Sequence, residues 1–124
     1  MTGSQQLMAF VSTTDLDRAR DFYERVLGLT FVEQTGYACE FDSAGTMLRV
    51  TLTESVATPG YTVLGWVVEN IQARMAELVA RGVTFGRYDG FEQDAAGVWT
   101  TPRGDQIAWF NDPDGNNLSL TQFA

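Results

Sequence analysis

A stretch near the start of the chain is echoed near its middle, and this repeat restricts the possible folds more than any other feature. Thr14-Asp15-Leu16 opens a helical stretch that closes at Gly28-Leu29-Thr30-Phe31. About 55 residues later Glu69-Asn70-Ile71 opens a second one, closing at Gly82-Val83-Thr84-Phe85. Asp15 and Asn70 are N-cap residues, whose side-chain oxygens accept from free N–H groups of the first turn. Gly28 and Gly82 suit the left-handed position after a helix end. Leu16, Ala19, Phe22, Tyr23, Val26 and Leu27 recur at helical spacing, as do Ile71, Met75, Leu78 and Val79. Each helix therefore buries one face and wets the other.

Strand-like runs flank both helices. Leu7–Thr13 precedes the first, and Phe31–Glu33, Tyr37–Phe41 and Met47–Thr53 follow it. Thr62–Val68 precedes the second, and Thr84-Phe85, Gln106–Phe110 and Leu118–Gln122 follow. The span Asp89–Asp105 reads as a hairpin or a long loop. Each half is strand, helix, then about three strands, with Pro59-Gly60 as the hinge. The expected fold class is α+β: two tandem βαβββ modules, 5–57 and 61–124, within a single domain 1–124, with helices outside mixed sheets.

The composition excludes several chemistries. The eight basic residues are all Arg, so the chain has neither Lys nor His. Ser-His-Asp and Cys-His catalysis, imidazole zinc sites and lysine Schiff bases are therefore out of reach. The net charge of −8 leaves no basic face for nucleic acid. The single Cys39 cannot form an internal disulfide and reads as a small buried strand residue. No apolar run is long enough for a bilayer, and residues 1–6 look unlike a secretory leader. The expectation is a cytoplasmic protein with no membrane partner.

Two segments carry a family resemblance: Thr14-Asp15-Leu16-Asp17-Arg18-Ala19-Arg20-Asp21-Phe22-Tyr23-Glu24-Arg25-Val26-Leu27-Gly28-Leu29, and Asp112-Pro113-Asp114-Gly115-Asn116. With the duplicated architecture, the chain resembles the vicinal oxygen chelate superfamily, the group of glyoxalase I, extradiol dioxygenases and bleomycin resistance proteins. The resemblance implies curved sheets around a cleft (a glyoxalase-like fold) and a homodimer. It also implies two metal-ligand positions per half, which fall here on Met8 and Arg49, and on Val63 and Ser119. Thioether, alkyl and guanidinium groups are poor ligands for a hard cation, so no metal and no cofactor are expected. Asp112–Asn116 lacks the later acidic ligands of a calcium loop and reads as a turn.

If alternation holds along the strands, Met8, Phe10, Ser12, Arg49, Thr51, Val63, Gly65, Val67, Ser119 and Thr121 line the cleft. Trp99 lines the cleft or a subunit contact, while Trp66 and Trp109 read as core. Arg49 either grips an anionic or carbonyl oxygen of a ligand or pairs internally with Glu40, which is also the candidate acid or base. The leading functional expectation is metal-independent binding of a small organic molecule. The alternatives are a metal-independent enzyme with Arg49 as electrophile, and a metal-dependent lyase, isomerase or dioxygenase of the family. Acidic net charge points to a cationic ligand and Arg49 to an anionic one, and the residues alone leave that conflict open.

Overall fold

The computed structural model describes residues 4–124; residues 1–3, where the expected domain begins, lie outside the described residues. Two compact units divide the chain, the first ending at Ala57 and the second running from Thr58 to Ala124.

The first unit contains β1 (Met8–Thr13), α1 (Leu16–Arg20), β2 (Thr30–Gln34), β3 (Ala38–Ser43) and β4 (Thr46–Leu52). The sheet order is β1-β4-β3-β2; β1 runs parallel to β4, and the other pairs are antiparallel. Asp15 caps α1 as expected, its carboxylate accepting from the Arg18 N–H at 3.1 Å. The helix does not continue as α to Gly28, however. Asp21–Val26 widens into a π-helical segment, with the Leu27 N–H donating to the Phe22 carbonyl at 2.9 Å. This turn buries Phe22, Tyr23, Val26 and Leu27 together. α1 packs on β3 and β4, above the buried Cys39, Phe41, Leu48 and Val50. The Tyr23 and Phe41 rings lie 5.8 Å apart. Burying such a ring contributes about 2–3 kcal/mol relative to leaving it wet. Gly28 takes φ +77°, which lets the chain leave the helix and turn into β2.

The second unit repeats the plan with β5 (Leu64–Val67), α2 (Ile71–Ala80), β6 (Trp99–Thr100), β7 (Gln106–Asn111) and β8 (Asn117–Gln122). Its order is β5-β8-β7-β6, again with one parallel pair, β5 with β8. Asn70 caps α2 by accepting from the Ala73 N–H at 3.0 Å, and the Gln122 side chain accepts from the Ile71 N–H at 2.8 Å. Ile71, Met75 and Leu78 are buried, as are Ala108 and Phe110 of β7 and Leu118 and Leu120 of β8, the two strands on which α2 packs.

One strand assignment needs correction. Thr84-Phe85 is not a strand, and the edge strand comes from inside the ambiguous span, at Trp99–Thr100. The intervening loop is held by side chains. The Arg87 guanidinium donates to the carbonyls of Gln93 and Asp94 at 3.1 and 2.7 Å. Gln93 donates to Gly86 and Gly97 and accepts from the Tyr88 N–H. Asp94 Oδ1 accepts from the N–H groups of Ala96, Gly97 and Val98, each at 2.9 Å. These polar groups satisfy the loop backbone in place of a sheet ladder. Among the described residues, no helix is long and apolar enough to cross a membrane.

Candidate functional site

In the first unit, one face of the sheet meets the helix and the other is open. Register places Phe10 opposite Arg49, Arg49 opposite Glu40, and both Ser12 and Ala38 opposite Thr51. Directly paired residues point to one face, so these side chains share the face away from the buried core of Val11, Cys39, Leu48 and Val50. An open groove of about 670 Å³ lies there, lined by Phe10, Glu33, Thr35, Tyr37, Ala38, Glu40, Arg49 and Thr51. Two aromatic rings are unusually wet: Phe10 is 58% exposed and Tyr37 80%.

Arg49 pairs with Glu40 on this face. Its Nη2 lies 2.6 Å and its Nε 2.8 Å from the same Glu40 carboxylate oxygen. The side chains are 42% and 20% exposed, so the pair is partly sheltered and internally neutral. The Arg49 guanidinium also stands 5.8 Å from the Phe10 ring centre, at the outer range of a cation–π contact.

Glu33 enters the groove through a feature that alternation hides. The β2–β3 register pairs Phe31 with Phe41, then skips Val32 and pairs Glu33 with Glu40. Strict alternation from Phe31 puts Glu33 on the core side. The bulge turns it to the open face, opposite another carboxylate.

In the second unit, Gly65 and Trp109 both pair with Ser119, and Val67 and Ile107 both pair with Thr121, while Trp99 pairs with Ile107. These residues share the sheet face away from α2. Val63 sits one residue before β5 and donates its N–H to the Asn117 carbonyl. A Cβ at Gly65 would stand 2.5 Å from Ser119 Oγ, so glycine is what admits that hydroxyl. Trp99 lies on β6, not in a loop, and stacks with Trp109 at 6.2 Å. Phe91, brought by the stapled loop, packs on Trp99 at 4.9 Å and on Trp109 at 5.6 Å. Tyr88 meets Trp109 at 5.5 Å. Trp109, expected to fill the core, is part of an aromatic cluster on the sheet face away from α2. Phe91 and Tyr88 carry no sequence signal for this role, because only the loop staples deliver them there.

The expected cleft residues therefore fall into two sets. Met8, Phe10, Arg49 and Thr51, with Glu40, share a face in the first unit. Gly65, Trp99, Ser119 and Thr121 share one in the second. The four positions that the resemblance assigns to metal ligands hold a thioether, a guanidinium bound to Glu40, an alkyl group and a hydroxyl. That donor set does not fit a divalent cation. Among the described residues, no three His, Cys, Asp or Glu side chains converge as a metal group. Cys39 is fully buried with its thiol toward the Leu16 carbonyl, and burial, the largest influence on it, pushes its pKa up. It is no nucleophile as placed. Asp94 is the loop's capping acid. Burial pushes its pKa up, but hydrogen bonds from Val98, Gln72, Gly97 and Ala96 outweigh this and hold it below the usual value.

Known proteins match this architecture over its full length. An antibiotic binding protein from Streptomyces sp. CB03234, TnmS3, is 25% identical, with 100% of this chain and 99% of that chain covered at a TM-score of 0.74. A superfamily member from Sphaerobacter thermophilus is 24% identical, with 98% and 99% covered at 0.75. Another, from Alicyclobacillus acidocaldarius, is 18% identical, with 99% and 95% covered at 0.73. None of the curated proteins matches the chain. The profile of the Glyoxalase/Bleomycin resistance protein/Dioxygenase superfamily matches residues 5–120, and the chain belongs to that superfamily.

Proposed function

We propose that this chain binds a small organic molecule on the open sheet face of its first unit and needs no metal to do so. The observation that carries the reading is the pair of wet aromatic rings, Phe10 and Tyr37, flanking a groove with a few fixed polar groups. Ligand sites have this makeup: mostly apolar walls with a small number of placed hydrogen-bonding groups. Thr35 and Thr51 add hydroxyls at the groove wall. The antibiotic-binding relative, alike over the whole chain, supports a binding role. The second unit's own sheet face, with Gly65, Val63, Trp99, Ser119 and Thr121, is a separate candidate surface. The reading places the protein in the cytoplasm as a homodimer.

Arg49 as a catalytic electrophile has less support. Two of its donors already serve Glu40, so a substrate oxygen would have to displace or share that carboxylate.

Native mass spectrometry of the protein as purified, followed by amide NMR titration with aromatic amines, alcohols and acids, tests the reading. The expected result is a metal-free protein in which chelator changes nothing and ligands shift the amides of Phe10, Tyr37 and Thr51. Phe10→Ala should weaken that binding severalfold. A stoichiometric metal removed by chelator, or the absence of any shift along the groove, would refute it.

A further inference from the structure

We infer that the groove of the first unit selects a cationic head group on an aromatic body, with Glu33 as its counter-charge; this rests on the binding reading above and deepens it. The lining holds two carboxylates and one guanidinium. Arg49 is spent on Glu40, through two contacts to one oxygen. The Glu33 carboxylate makes no hydrogen bond or ion pair with the described residues, while its backbone belongs to the β2–β3 ladder. One negative charge is therefore left over in a groove that Phe10 and Tyr37 also line, and the ring quadrupoles there also favour a cation.

Local strand chemistry does not call for this arrangement. Like charges directly opposite across a strand pair are unfavourable. An unbulged register would put Val32, not Glu33, opposite Glu40. The bulge instead turns a second acid toward the open face, next to an acid whose partner is already in place. A bound ammonium relieves that repulsion, while a bound carboxylate adds to it. The net charge of −8 favours the approach of the same ligands. The conflict between the acidic chain and its cleft arginine thus resolves toward cations, because Glu40 cancels the arginine.

The test uses three probes on one skeleton: 1-naphthylmethylamine, 1-naphthylmethanol and 1-naphthoate. Each is titrated into the whole chain and followed by amide NMR. The amine should bind about threefold or more tightly than the alcohol at low salt, as expected of a half-exposed charge pair, and the carboxylate weakest of the three. Raised salt should shrink the amine's advantage. Glu33→Gln, a surface change whose fold the same spectrum checks, should bring the amine-to-alcohol ratio close to one. Equal binding of amine and alcohol at the groove overturns the charge selection and leaves the binding reading standing. Tightest binding of the carboxylate makes Arg49 the anchor and also overturns it. If no probe shifts groove amides, the binding reading itself falls.

Discussion

Replacing Glu40 by Gln and Arg49 by Met, singly and together, measures the pair on which the groove's charge balance depends. Gln keeps the volume of Glu, and Met keeps the apolar stem of Arg beside Phe10. Unit charges about 4 Å apart attract by about 1 kcal/mol in bulk water and about 4 kcal/mol at an effective dielectric near 20. Arg49 is 42% exposed and Glu40 20%, so the pair lies between these limits. Dehydrating both groups and freezing two long side chains takes back most of the attraction. Opposite charges across a strand pair contribute about 0.2–1 kcal/mol. The two contacts at 2.6 and 2.8 Å place this pair at the upper end, so a coupling of about 1 kcal/mol is expected. The assay is urea unfolding of the four proteins at low salt and at about 0.5 M, read on the transition that includes the first unit. High salt should lower the coupling, because the guanidinium is half wet. A coupling indistinguishable from zero at both salts would mean that Arg49 is free in solution. Arg49 would then be available to a ligand anion, and its occupation by Glu40 would no longer hold.

Two further outcomes follow from single positions. Gly65→Ala puts a Cβ 2.5 Å from Ser119 Oγ and 3.3 Å from the Ser119 carbonyl oxygen, and should cost about 1–2 kcal/mol in thermal unfolding. Ser119→Ala in the same chain should recover most of that, and an equal loss in both backgrounds would refute the clash. Asp94→Ala should loosen the loop at Ala96, Gly97 and Val98 by about 1–2 kcal/mol of local opening, read by amide exchange. Because the native carboxyl is held below its ordinary 3.8, its contribution is complete above that value and is lost as pH falls through the lowered native pKa. Wild type and variant should therefore converge in acid, and a difference that persists or grows there would contradict the assignment.

Helix caps and apolar spacing are local, and they were readable from the chain. Asp15 and Asn70 cap because a short side-chain oxygen reaches the N–H three residues on. Gly28 and Gly82 end their helices because only glycine takes a positive φ freely. The repeat of these signals was enough to derive two βαβββ units, and the superfamily came from the resemblance carried by Thr14–Leu29 and Asp112–Asn116. Alternation puts Phe10, Arg49 and Thr51 on one sheet face of the first unit and Gly65, Ser119 and Thr121 on one of the second, because regular strands keep a period of two.

What escaped the sequence depends on contacts between residues far apart in it. The π-helical turn answers to packing on the sheet rather than to helix propensity. The edge strand β6 arises at Trp99 because Arg87, Gln93 and Asp94 satisfy the loop before it, and no periodicity encodes that. The same loop lays Phe91 against Trp99 and Trp109. The bulge at Val32 reverses the side on which Glu33 emerges, since a single extra residue flips a strand's facing. By itself the sequence determined the helices, the duplicated plan, the family and the absence of imidazole and amine chemistry. Only the tertiary structure decided that Arg49 belongs to Glu40 and that Glu33 stands open beside them, because charge pairing depends on register, and register is set by pairing between strands.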